Sequence, residues 1–287
     1  MSGKISVESG ILYVATGARS LSLAKISVEW LRKVEDNILV AIYTDADNAD
    51  VAAKFADQVL VADEPEYNWN DKIRGLASSP FERTIYLDVD TLPIRPFVED
   101  LGRGLDFYPL IARDGARFLF SWETDRYPPC LTQFNTGVMA YRREEAAALF
   151  ESWMRLRQEM PDGHDQPTFR AAVLETRIPV GNLAPEYNFG PLNLSFQPVR
   201  IIHFLSDHKE LMLDPTKRNK VVREIKKFEQ GPNVFSVGFR MWWREQRFAC
   251  IRIICHTLSD WRRWRRYLHP SIYLSKLNRI FLRRSDS

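Results

Sequence analysis

Up to Asp90 the chain alternates continuous apolar runs with stretches of helical periodicity. The runs are Ile11–Thr16 (ILYVAT), Ile38–Tyr43 (ILVAIY), Val59–Ala62 and Thr84–Leu87 (TIYL). Each is short and does not alternate with polar residues, which predicts strands buried on both faces. Between them, Ser20–Lys33 carries Leu23, Ile26, Trp30 and Leu31 at helical spacing. Asp47–Ala56 reads as a helix with Asp47 as its N-cap, and Asp71–Ala77 as a third helix. Such alternation predicts an α/β fold with a mostly parallel sheet covered on both sides. Ligands of such sheets bind beyond the carboxyl ends of the strands. Thr16-Gly17, Thr44-Asp45 and Asp88-Val89-Asp90 each follow a run and are expected to converge on one rim.

Beyond Asp90, Phe107–Ala112, Phe134–Tyr141 and Val199–Phe204 read as strands, and Arg143–Gln158, Gln166–Glu175 and Asp214–Gln230 as helices. Neither GxGxxG nor GxxxxGK[ST] occurs, which argues against Rossmann dehydrogenases and P-loop enzymes. With 45% hydrophobic residues the chain has enough apolar surface to exclude a disordered class. Its three cysteines, Cys130, Cys250 and Cys255, cannot build a disulfide framework and fit a reducing, cytoplasmic compartment. No run of about 18 apolar residues spans a membrane. Met1–Ser9 holds no apolar core of a secretion signal.

The candidate chemistry begins with Asp88 and Asp90. Two carboxylates at i and i+2 point the same way if the strand persists, and like charges held close call for a cation between them. An oxygen-ligated divalent metal meets that need. A bare DxD can equally be two acids on a solvated loop. His203 ends the late strand VRIIHF. Alone it reads as a structural histidine; with the two acids it completes a mixed N/O site suited to Mn²⁺ or a similar ion. Asp165 reads as the N-cap of a helix, Lys72 as a solvated helix residue, Asn135 as a turn residue, and Asn188 as a loop residue that could instead approach an acceptor.

Four segments then occur in a recognisable order. The stretch Pro80-Phe81-Glu82-Arg83-Thr84-Ile85-Tyr86-Leu87-Asp88-Val89-Asp90-Thr91-Leu92 resembles the DxD region of family 8, glycogenin-like glycosyltransferases. Phe134-Asn135-Thr136-Gly137-Val138 resembles their FN[ST]G segment, His164-Asp165-Gln166 their [GH]DQ segment, and Ile202-His203-Phe204-Leu205 their HFLG segment. The resemblance covers roughly Ile11 to Lys209. It implies a glycosyltransferase A-type fold and transfer with retention from a nucleotide-sugar, a UDP-sugar by preference, to a glycan or glycolipid acceptor. It also implies Mn²⁺ (or Mg²⁺) held by Asp88, Asp90 and His203. By position, Thr16 and Asp45 would lie near base and ribose, Lys72 near the diphosphate and sugar, and Asn135 and Gly137 along the sugar and acceptor side. Asp165 and Gln166 would face the transferring sugar as catalytic residues, and Lys209 would hold the diphosphate. Ser206 stands where the family has Gly, and Glu210-Leu211 where it has Pro-Trp. A competing reading takes Leu87-Asp88-Val89-Asp90-Thr91-Leu92 as the DxDxT signature of haloacid-dehalogenase-like phosphatases. There Asp88 would be the nucleophile and Asp90 the general acid. That motif normally sits on an early strand with an acidic pair downstream.

The C-terminal segment is a different machine. From Gly238 to Ser287 there are twelve Lys and Arg against three Asp and Glu, a net of +9 in a chain whose total is +3, so the remainder carries −6. Ile254, Leu258, Trp261, Trp264 and Leu268 form one helical stripe flanked by arginines. This fits a helix lying in an anionic membrane interface, each basic residue contributing about 1 kcal/mol. The same stripe could instead pack on the catalytic domain. In composition the tail resembles the basic, aromatic tails of some bacterial lipooligosaccharide sugar transferases of the family. Nucleic acid is not expected as a partner, because the acidic main part opposes it. Cys250, Cys255 and His256 match no common zinc spacing. The expected organisation is a catalytic domain over 1–212, a helical linker over 213–237 and the basic extension over 238–287, with the protein peripheral on the inner face of the membrane.

Overall fold

The computed structural model describes residues 7–115, 130–131, 133–160, 164–190, 197–205 and 208–229. The expectations for Ser206, for Cys250, Cys255 and His256, and for all of Gly238–Ser287 fall outside the described residues.

The first half of the chain builds the parallel part of a sheet. Strands β1 (Val7–Val14), β2 (Leu39–Thr44), β3 (Gln58–Val61) and β4 (Phe81–Leu87) alternate with helices α1 (Ala18–Leu31), α2 (Ala46–Ala52) and α3 (Trp69–Ala77). Parallel pairing puts them side by side in the order β3-β2-β1-β4. Strands β6 (Leu110–Asp114), β7 (Phe134–Arg142) and β8 (Val180–Asn182) complete the sheet as β4-β7-β6-β8. Only β7 runs against the rest: it is antiparallel to β4 and β6, while β8 is again parallel to β6. The sheet is therefore mostly parallel, as expected.

The lack of alternation in the strands has its cause in two cores, one on each face. Leu12, Tyr43, Tyr86, Met139 and Tyr141 point to one side. There they meet Ile73 and Leu76 of α3, and Phe150, Trp153 and Phe169 of helices α5 (Arg143–Glu159) and α6 (Asp165–Thr176). Ile11, Tyr13, Val40, Ile42, Ile85 and Val138 point to the other, against Leu21, Val28 and Leu31 of α1 and Leu101 of α4 (Val98–Gly104). Neighbouring positions in a strand thus face different cores, and each must be apolar.

Several boundaries differ from expectation. Phe107 is not in a strand: it is 81% exposed and lies in the turn that closes α4, its N–H donating to the carbonyl of Gly104. Asp47 does not cap α2; Asp45 occupies that position. Asp165 does not cap α6; His164 occupies the N-cap position, without a side-chain capping bond, and Asp165 is the first helical residue. Short pieces without a periodic signature also appear. They are α4, β8, a 3₁₀ turn at Pro185–Tyr187, β5 (Thr91–Pro93) and α7 (Lys209–Leu213). The strand expected over Val199–Phe204 is present but shorter, as β9 (Ile201–His203), and it pairs with β5 in a two-stranded ribbon. Helix α8 (Pro215–Glu229) begins at Asp214, whose Oδ1 accepts from the N–H groups of Thr216 and Lys217, and it buries Val222 and Ile225.

Candidate metal and donor site

The carboxyl ends of β1, β2 and β4 lie on one edge because the three strands are parallel. At that edge Gly17 N–H donates to Asp45 Oδ2 at 2.7 Å. Asp45 Oδ1 accepts from Asn48 Nδ2 at 2.7 Å. Burial works against the charge of Asp45, but these bonds, with further backbone N–H groups of Asp45 and Asn48, outweigh it and hold its carboxyl below the usual range. Gly17 has φ 85°, a region that strains any residue with a side chain. Thr16 donates its hydroxyl to Asp71 Oδ2 at 2.9 Å. Asp71, fully buried, also accepts from the N–H groups of Glu66 and Tyr67, so it shapes the turn leading into α3.

Asp88 and Asp90 follow β4, but strand geometry does not carry their side chains together. β4 ends at Leu87, and a tight turn follows, closed by Thr91 N–H and Thr91 Oγ1 on the carbonyl of Asp88 at 3.0 and 2.7 Å. The turn, and not the i, i+2 period of a strand, sets how the two carboxylates are presented. The antiparallel sense of β7 brings its first residues to this edge, where Gly137 O accepts from Asp88 N–H at 2.7 Å. His203 arrives on β9, paired opposite Thr91 in β5. Its Nε2 lies 3.3 Å from Asp90 Oδ1 and 3.7 Å from Asp88 Oδ2. One ligand atom from each of Asp88, Asp90 and His203 lies within 4.8 Å of the others. Two carboxylate oxygens and an imidazole nitrogen at that spacing suit one divalent cation.

The other oxygen of Asp88 is already engaged. Tyr86 O–H donates to Asp88 Oδ1 at 2.5 Å, and Lys72 Nζ lies 3.0 Å from the same atom. Lys72 is buried rather than solvated. It bridges Asp88 to Asp165 Oδ2 at 3.1 Å and donates to Thr136 Oγ1 at 2.9 Å, while Thr136 donates to Asp165 at 2.5 Å. Its ammonium also lies 5.6 and 5.2 Å from the ring centroids of Trp69 and Tyr86. Burial disfavours the Lys72 charge, yet Asp165 and Asp88 more than offset it and raise its pKa above the ordinary value. Burial likewise opposes ionisation of Asp90, but His203 and Lys209 hold its pKa down. Burial, then the Asp88 charge, push the Tyr86 phenol well up, so it stays a donor.

The remaining expected residues fall around this centre. Lys209, at the start of α7, has Nζ 3.3 Å from Asp90 Oδ2, and its neighbour Glu210 pairs with Arg19 of α1. Gln166 is half-buried in the first turn of α6, with Oε1 3.5 Å from where a Cβ on Gly115 would stand. Asn135 Oδ1 accepts from Gly137 N–H at 3.0 Å and from Asn188 Nδ2 at 2.9 Å. Gly137 lies beneath the His203 ring: a Cβ there would stand 2.1 Å from His203 Cε1. Tyr86 and Thr136 were not singled out from the sequence. Tyr86 stands two residues before Asp88 and could have been found by the period of the strand; nothing local distinguishes Thr136.

No family model and no curated protein matches the chain. Solved structures do. The galactosyltransferase LgtC, in complex with donor and acceptor sugar analogues, is 14% identical with a TM-score of 0.56, over 78% of this chain and 97% of that one. Mouse xyloside xylosyltransferase 1 in its apo form is 13% identical with a TM-score of 0.51, over 70% of this chain and 99% of that one. At this identity the likeness is one of fold. The α/β architecture with a mostly parallel seven-stranded sheet is that of these A-type glycosyltransferases.

Proposed function

We propose that the protein is a metal-dependent, retaining glycosyltransferase that moves a sugar from a nucleotide-sugar, a UDP-sugar by preference, to a glycan or lipid-linked acceptor. The observation that carries this reading is the meeting of Asp88, Asp90 and His203 at the carboxyl edge of the sheet, beside the buried Lys72–Asp165 pair. The donor set suits Mn²⁺ or Mg²⁺, which when bound would neutralise a diphosphate and act as a Lewis acid on the leaving group. Lys209, within reach of Asp90 and partly exposed, would add positive charge at the diphosphate. Asp45 and Thr16, on the neighbouring strand ends, would take the ribose and base. Lys72 would pair with Asp165 and fix its orientation. That carboxylate, with Gln166, would face the positive charge that develops at the anomeric carbon. The phosphatase reading needs further acids beside Asp88 and Asp90. The group that completes the ligand cluster here is an imidazole, and the nearby acid Asp165 is held on the far side of Lys72.

Among the described residues no helix is long and apolar enough to cross a membrane. The basic segment from Gly238 would hold the protein on an anionic membrane surface at the cytoplasmic face, where a lipid-linked acceptor is presented. The central test is calorimetry with UDP and Mn²⁺. The protein should bind UDP only with the metal, and Asp90→Ala should lose that coupling. Metal-independent UDP binding, or phosphatase turnover abolished in Asp88→Ala, would overturn the proposal.

A further inference from the structure

His203 can serve a cation only through Nε2, the ring atom that faces Asp88 and Asp90. A ligating nitrogen needs its lone pair, so the ring proton must sit on Nδ1. What keeps it there follows from a chain of hydrogen bonds that starts at a backbone amide. Gly137 N–H can only donate, and it donates to the Asn135 side chain at 3.0 Å, so the atom Asn135 presents is its oxygen. The Asn188 side chain meets that same oxygen at 2.9 Å and must do so through its NH₂ group. With the nitrogen committed, the Asn188 oxygen is the atom 2.9 Å from His203 Nδ1. Two lone pairs do not face each other at that distance, so Nδ1 carries a hydrogen whether the ring is neutral or charged.

We infer that Asn188 is a positioning residue: its side-chain oxygen holds the proton on Nδ1 of His203 and so keeps the Nε2 lone pair aimed between Asp88 and Asp90. The inference rests on the metal-centre reading given above. Asn188 is well placed for the task. It is buried and follows the 3₁₀ turn Pro185–Tyr187. Its carbonyl accepts from Arg113 Nη1 at 2.6 Å. Phe189, next in the chain, bonds β9 on both sides, through its N–H to Ile201 O and its carbonyl to His203 N–H. The segment that carries Asn188 is thus tied to the strand that carries His203, and ring and amide keep one geometry. By sequence Asn188 reads as a loop residue that could approach the acceptor; the structure makes it a neighbour of the imidazole.

The test is ¹⁵N-histidine NMR of the full-length protein, with the five histidines resolved by comparison with His203→Gln, together with Mn²⁺ titration followed by the EPR signal of the free ion. His203 should show a protonated Nδ1 in the metal-free neutral ring, and should keep it when Zn²⁺ is bound as a diamagnetic probe. Asn188→Leu should lose that signal and bind Mn²⁺ about 10- to 100-fold more weakly. Asn188→Asp, which still offers an acceptor, should keep the Nδ1 proton and bind Mn²⁺ better than the leucine variant. An unprotonated Nδ1 in the wild-type neutral ring overturns the inference, as does wild-type Mn²⁺ affinity in Asn188→Leu. A wild-type protein that binds no Mn²⁺ overturns instead the metal-centre reading, and the metal-free spectrum still decides the tautomer; should Asn188→Leu fail to fold, wild type and Asn188→Asp decide it.

Discussion

Gly137→Ala should disable the metal centre without touching any ligand. An added Cβ would stand 2.1 Å from His203 Cε1, 2.7 Å from Nδ1 and 2.9 Å from Nε2. Carbon atoms in contact sit best about 3.5–4.0 Å apart, so the ring must retreat by about 1 Å or more. It has little room, being buried and bonded to Asn188, with its strand paired to β5. Overpacking of this kind costs about 1–3 kcal/mol. A retreat of that size also takes Nε2 out of the shared sphere with Asp88 and Asp90, and misplacements near 1 Å can cost about 10²-fold in function. Removing the ring should remove the conflict. Urea denaturation of Gly137→Ala, His203→Ala and the double variant should therefore show a favourable coupling of about 1–3 kcal/mol, since the two sites are in contact. Mn²⁺ titration of Gly137→Ala should show binding weakened at least tenfold. Strictly additive stabilities, or wild-type Mn²⁺ affinity in Gly137→Ala, would refute the packing argument.

Three further outcomes are expected. Lys72→Met strips the cation from between Asp88 and Asp165, and breaking a buried pair costs about 3–5 kcal/mol; an unchanged urea midpoint at neutral pH would contradict the assigned burial. Asp45 is held below its ordinary 3.8, so its contribution is full above that pH and fades as the pH falls through the lowered value. The stability gap between wild type and Asp45→Asn should accordingly shrink in acid, and a gap constant from neutral pH to well below 3.8 would speak against it. The full chain should float with anionic liposomes and a chain truncated at Gly238 should not; equal flotation of both would end the membrane proposal.

How far the site was legible in the sequence follows from the range of the interactions that build it. The strand-ending pairs Thr16-Gly17, Thr44-Asp45 and Asp88-Asp90 could be assigned to one rim, because parallel strands joined by helices must end on the same edge. The double-sided burial of β1, β2 and β4 was written in their unbroken apolar runs, since each face had its own core to satisfy. His203 could be proposed as a ligand only with the help of a resemblance, because no local rule ties it to residues so far upstream. Its own strand is legible as VRIIHF, but its arrival beside Asp90 depends on the pairing of β9 with β5, a strand of three residues that is too short to carry a periodic signal. Lys72 reads as solvated in any helical wheel. Folding buries it because α3 lays it against Asp88 and Asp165, two charges from distant parts of the chain that make its desolvation tolerable. Asn188, Thr136 and Tyr86 acquire their roles in the same way, through hydrogen bonds whose partners only the folded chain brings together. Periodicity reports which face of an element is dry; which polar groups meet inside is set by tertiary packing, where each buried donor and acceptor must find a partner.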